Sequence, residues 1–199
     1  MSFRYIFLTI CFCSLFFACS SSTSILQHQP ELTFKNLPMI HLNIKNIEVT
    51  SNFNPPDKSL HIEYAMPISL ENSIGRWAKD RLHMIGNDNT LRVVIRDASV
   101  IATPLHDVDT SLTGILKKKP INRIDMSIDV SLQILDNRKF VIAEVIGNQL
   151  ISRTEFEGMT QIERNKMLYD MVNSLITGYN TSIDKNIHDT FDFWIERNH

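Results

Sequence analysis

Between Ile124 and Ile134 every second residue is apolar: Ile124, Met126, Ile128, Val130, Leu132 and Ile134 alternate with Asp125, Ser127, Asp129, Ser131 and Gln133. Successive side chains of a strand point to opposite faces, so the run reads as a strand with one dry face and one wet face. Wound as an α-helix, the same apolar residues would be scattered around the circumference and could not share one buried stripe. Asp136-Asn137-Arg138-Lys139 then makes a tight connection to Phe140, Ile142 and onward to about Thr154, which predicts an antiparallel hairpin. A hairpin with one dry face needs a covering layer, and the rest of the chain has to supply it.

Two helical segments answer that need. Ser69 is placed as an N-cap with Glu71 in the first turn, ahead of an apolar face of Ile74, Trp77, Ala78, Leu82 and Ile85, closed by Gly86. From Thr160 the period becomes helical again, with Leu168, Met171, Val172, Leu175, Ile176, Tyr179, Ile183, Ile187, Phe191 and Ile195 near one side. Gly178 lies inside this long helix and predicts a kink, since glycine costs ~1 kcal/mol relative to alanine there. Further strands are read at Ile40, Leu42, Ile44, Ile47 and Val49, with a bulge at Lys45-Asn46, and from Leu91 to Pro104. The prolines of Asn54-Pro55-Pro56-Asp57 break the first strand, and the apolar pattern disappears between Leu105 and Pro120. The order β-α-β-β-β-α predicts an α+β fold: an antiparallel sheet of about four strands with two helices packed on one face.

At 199 residues and 43% hydrophobic the chain can bury one core, and its net charge of -2 removes the broad attraction that non-specific nucleic-acid binding requires. The amino terminus predicts the compartment. Arg4 precedes an uncharged, mostly apolar run from Tyr5 to Ala18, too short for a comfortable bilayer span of ~20 residues. Leu15-Phe16-Phe17-Ala18-Cys19 resembles the bacterial lipobox, whose cysteine sulfur takes a diacylglycerol before cleavage. The organisation expected is a lipoprotein signal peptide over residues 1–18, a flexible tether over 19–38 and a periplasmic α+β domain over 39–199. Cys11, Cys13 and Cys19 are the only cysteines, so cleavage before Cys19 leaves a domain with neither disulfide nor thiol nucleophile. Membrane attachment then rests on the acyl chains at Cys19. In the lipoproteins that the signal resembles, an Asp after the cysteine retains the protein at the inner membrane. Ser20 stands there in this chain, which implies the outer membrane, facing the periplasm.

Residues 40–199 resemble a group of uncharacterised alphaproteobacterial lipoproteins. The resemblance sits in Ile47-Glu48-Val49, Asn54-Pro55-Pro56, Arg76-Trp77-Ala78-Lys79-Asp80-Arg81-Leu82, Ile95-Arg96-Asp97-Ala98-Ser99-Val100 and the hairpin-plus-long-helix ending. It implies a small periplasmic α+β domain and carries no catalytic residue with it. In layout the chain is also similar to small periplasmic lipoproteins that assist envelope lipid transporters or cell-wall synthases.

No GxSxG, P-loop or GxGxxG motif is present, and the seven histidines, His28, His41, His61, His83, His106, His188 and His199, form no HxxxH pair. The sequence therefore points to no catalytic residue, no cofactor and no metal site, although folding could still bring two or three histidines together, for example His61 with His106. The acidic row of Asp125 and Asp129 is explained by strand alternation, and Arg76, Lys79, Asp80 and Arg81 read as a solvated helix face around a core Trp77, with a buried or partner-facing ion pair as the alternative. Candidates for partner contact are Lys117, Lys118 and Lys119 in the long loop and Trp194, which falls off the apolar stripe of the second helix. The function expected is a lipid-anchored accessory protein docking on a cell-envelope complex. The alternatives are a binder of lipid or another hydrophobic ligand held between helices and sheet, and more distantly a hydrolase.

Overall fold

The alternating run forms the centre of a four-stranded sheet in the computed structural model, which describes residues 32–55, 59–105 and 118–196. Strand β5 (Pro120–Leu135) pairs antiparallel with β6 (Val141–Phe156), setting Leu132 opposite Val145 and Met126 opposite Ile151. The Asp136 carboxylate fastens the turn by accepting from the Arg138 and Phe140 N–H groups at 2.8 and 2.9 Å, and Lys139 takes a positive φ of 68°. On the other side of β5 lies β4 (Thr90–Pro104), also antiparallel. A register shift between Ile95 and Asp97 inserts Arg96 as a bulge, which keeps Ile95 and Ala98 on the dry face beside Val130 and Ile128.

The fold is α+β, and its sheet is mixed. Strand β2 (Asn46–Ser51) joins the edge of β4 in parallel, giving the order β2-β4-β5-β6. The expectation of an all-antiparallel sheet fails here because the chain from β2 to β4 crosses over through helix α1 (Leu70–Arg81), and such a crossover brings the next strand back in the same direction. The single bulged strand expected over 40–49 is also two strands in two sheets. Strand β1 (Ile40–Leu42) pairs in parallel with β3 (Leu82–Met84), and the phase shift at Lys45-Asn46 marks the step into the main sheet.

Helix α1 begins where expected, with the Ser69 hydroxyl accepting from the Asn72 N–H at 3.2 Å. It ends four residues earlier than its apolar pattern, at Arg81 rather than Ile85, because Leu82 and Met84 continue as β3 beside β1. Gly86 accordingly serves a close approach and not a helix end: a Cβ there would lie 2.4 Å from the Asn43 carbonyl carbon. The packed part also starts before the expected boundary at Met39. Leu32 and Phe34, assigned to the tether by their polar surroundings, are buried in the core, and the Asp80 carboxylate accepts from the Phe34 N–H at 2.8 Å.

Helix α2 (Gln161–Thr190) opens on a capping box, in which Thr160 and Glu163 satisfy each other's backbone N–H groups, and runs unbroken past Gly178. Its buried stripe is Leu168, Met171, Val172, Leu175, Ile176, Tyr179, Ile183 and Ile187, with Phe191 closing it. Gly178 serves packing against the Gln149 side chain, which a Cβ would meet at 3.2 Å. At Gly75 in α1 an added Cβ would meet nothing within 4 Å, and the backbone there has no positive φ. Gly75→Ala is therefore expected to raise stability by about 0.5–1 kcal/mol, read as a higher urea midpoint with an unchanged slope.

Candidate functional site

Both helices lie on the dry face of the sheet, where Ile124, Met126, Ile128, Val130, Leu132 and Ile134 are all fully buried. The opposite face carries Arg92, Asp97 and Ser99 from β4, Asp125, Ser127, Asp129, Ser131 and Gln133 from β5, and Glu144, Ile146, Asn148, Leu150 and Ser152 from β6. Several of these side chains are locked to one another. Arg92 donates from Nε and Nη2 to Gln133 Oε1 at 3.0 and 2.6 Å, and Gln133 Nε2 donates to Glu144 Oε1 at 2.9 Å. Ser131 donates to the same Glu144 oxygen at 2.6 Å, Arg96 pairs with Asp129 at 2.5 Å, and Arg123 pairs with Asp125 at 2.8 Å. The donors from Ser131 and Gln133 hold the Glu144 carboxyl below its ordinary range, since they favour the charged form. Amid this polar lattice Ile146 and Leu150 stand exposed.

A second polar arrangement joins the two helices. The Trp77 indole N–H and the Arg81 Nε–H both donate to Asn180 Oδ1, at 2.9 and 2.8 Å, and Arg81 Nη2 forms an ion pair with Asp184. Arg81 is 2% exposed, so the expectation of a solvated helix face fails at this residue. Its position on the inward side at the end of α1 puts it against α2, and burial lowers its pKa while the Asp184 carboxylate raises it. Asn180 and Asp184 lie one helical turn apart on α2, the spacing that lets both face one guanidinium. In the sequence Asn180 and Asp184 look like ordinary polar residues on a helix surface. What reveals them is the position of Arg81 directly after the apolar stripe residues Trp77 and Ala78.

The residues singled out from the sequence fall in different places. Cys19, Lys117 and His106 lie outside the described residues. Lys118 and Lys119 sit exposed just before β5, and the Lys119 carbonyl accepts from the Glu157 N–H at 2.8 Å. Trp194 is half-buried in a short 3-10 turn, Asp192–Trp194, with its ring edge-on to Phe193 at 5.2 Å and to Phe191 at 6.3 Å. The outward aromatic of this cluster is Phe193, 86% exposed. His61 bonds to Glu63 at 2.7 Å beside β4, while His41 and His83 come together across β1 and β3. The His41–His83 pairing is not legible from spacing, because it depends on strand register.

No protein-family model and no curated protein matches this chain. Solved structures that align with it include two lipoproteins. One is a minor lipoprotein from Acinetobacter baumannii, at 10% identity, covering 79% of this chain and 99% of that one with a TM-score of 0.37. The other is the rare lipoprotein B from Shewanella oneidensis, at 11% identity, covering 72% and 99% with a TM-score of 0.32. Both are bacterial lipoproteins. At these scores neither lends a site or a partner to this chain, whose surfaces have to be read from its own residues.

Proposed function

We propose that this chain is a lipid-anchored lipoprotein of the bacterial outer membrane, facing the periplasm, which acts by binding and docks on a cell-envelope complex of transport or wall assembly. The observation that carries the docking is the sheet covered by helices on one face only, with Ile146 and Leu150 exposed in a lattice of paired polar side chains on the other. Side chains already held by mutual hydrogen bonds lose little further freedom when a partner covers them, which lowers the cost of association. Trp194 with Phe193, and the Lys117-Lys118-Lys119 run, are the second set of contact positions. The anchor rests on Leu15-Phe16-Phe17-Ala18-Cys19, and the outer-membrane destination on Ser20. Against a hydrophobic-ligand carrier stands the layer between helices and sheet, which Trp77, Tyr179 and Phe191 fill with fully buried rings.

A photo-crosslinking residue placed in living cells at Ile146 or Leu150 is expected to trap one envelope protein, identified by mass spectrometry, while the same residue at Lys79, exposed on α1, traps none. Adducts absent from the outer-face positions in both membrane fractions would sink the docking reading. Labelled palmitate is expected to enter the wild-type chain and not Cys19→Ser, and equal labelling of the two would remove the anchor.

A further inference from the structure

Strand β1 is flanked on both sides. Its parallel pairing with β3 sets His41 beside His83. On its other edge, Leu42 bridges Ile195 antiparallel and the Glu196 N–H donates to the His41 carbonyl at 3.0 Å, which sets Glu196 opposite His41. Residues directly opposed across strands share a face. Ile40, Leu42 and Leu82 take the buried face, so His83, His41 and Glu196 stand in one row on the outward face of a three-stranded ribbon. His83 and Glu196 are exposed and His41 is half-buried. The two imidazole rings lie edge to face with centroids 5.3 Å apart.

We propose that this row binds a divalent late transition-metal ion such as Zn2+, with one ring nitrogen each from His41 and His83 as ligands, the Glu196 carboxylate as the third, and water completing the shell. Imidazole is a ligand that these ions favour over the hard cations calcium and magnesium. Two zinc–nitrogen bonds at a tetrahedral angle put their nitrogens ~3.3 Å apart. Rings with centroids at 5.3 Å reach that separation by side-chain rotation alone, because the strand register has already placed their backbones side by side. No three metal-ligating side chains converge as they stand among the described residues, so Glu196 has to turn toward the pair. An exposed carboxylate makes that turn by changing rotamer. The ribbon belongs to the two-stranded sheet and not to the four-stranded one, so the site is separate from the proposed docking face.

The test is a Zn2+ titration of the full-length protein in detergent, purified without a polyhistidine tag and followed by calorimetry and by imidazole 15N resonances. One ion is expected to bind, moving the resonances of His41 and His83 and of no other histidine. The ion is also expected to raise the urea unfolding midpoint. His41→Ala and His83→Ala are each expected to weaken binding at least about tenfold, the double variant to abolish it, and Glu196→Gln to weaken it less than either histidine change. Urea midpoints of the metal-free variants within error of wild type show that the fold is kept, and the resonance shifts of the wild type report the ligands without any substitution. Absence of Zn2+ binding by the wild type, undiminished binding by the double variant, or shifts at a different set of histidines would each overturn the proposal.

Discussion

Trp77→Ala is expected to lower the free energy of unfolding by about 3–5 kcal/mol, the range for removing a large aromatic from a core. Trp77 is fully buried in α1, packs edge-on against Tyr179 with ring centroids 5.0 Å apart, and donates to Asn180 at 2.9 Å. Its removal opens a cavity between the two helices at the place where they meet. Neither helix can settle into that space, because each is held from below by the sheet. Domains of this size are stable by only ~5–15 kcal/mol, and no cysteine after Cys19 can form a disulfide to offset the loss. Urea denaturation followed by circular dichroism should show a much lower midpoint at an unchanged slope. Trp77→Phe keeps most of the ring volume and is expected to cost markedly less. A midpoint for Trp77→Ala within error of wild type would mean that the helix–helix contact does not stabilise the domain.

The second large effect is expected at a residue with no side chain. A Cβ added at Gly147 of β6 would lie 2.7 Å from Tyr179 Cε2 and 2.8 Å from Ile183 Cδ1, both part of fully buried side chains on α2. Those atoms have no free space into which to retreat, so Gly147→Ala should cost about 1–3 kcal/mol through overpacking. Ile183→Val removes one of the two clashing atoms. Combined with Gly147→Ala it should therefore cost less than the sum of the single changes, and a double-mutant cycle in urea measures the difference. Strict additivity would show that the helix is not seated on Gly147. The contrast with Gly75, where alanine is expected to stabilise, rests only on what surrounds each Cα.

How much of the fold is legible in the sequence depends on whether the deciding contacts are local. The β5–β6 hairpin and the α2 stripe follow from side-chain periodicity, which each segment carries within itself, and the Ser69 cap follows from a residue and its third neighbour. The first strand escapes such a reading because Ile40–Leu42 and Asn46–Ser51 satisfy one alternating pattern with a single slip, while their pairing partners, β3 and β4, lie elsewhere in the chain. The same cause makes α1 look longer than it is. Leu82 continues the helical stripe in projection, yet strand pairing with Ile40 claims it. The Arg81–Asn180–Asp184 arrangement and the His41–His83–Glu196 row are products of packing between distant segments. No motif spacing announces either of them, whereas Trp77 is recognisable as core from its place on the stripe alone.

The position of β1 ties the two extremities of the described chain together. It is held on one edge by Leu82–Met84 and on the other by Ile195 and Glu196, and the Asn43 N–H donates to the Trp194 carbonyl. A chain is synthesised from its amino terminus, so this early segment is the first to appear and among the last to find all its partners. Contacts between residues this far apart in sequence require closure of a long loop and form late in folding. Until the segment around Ile195 arrives, the stretch from Leu32 to Leu42 has only part of its cover. The domain is thus completed by its far end, and a truncation just after Phe191, which keeps the long helix whole, should loosen β1 before it disturbs the hairpin or that helix.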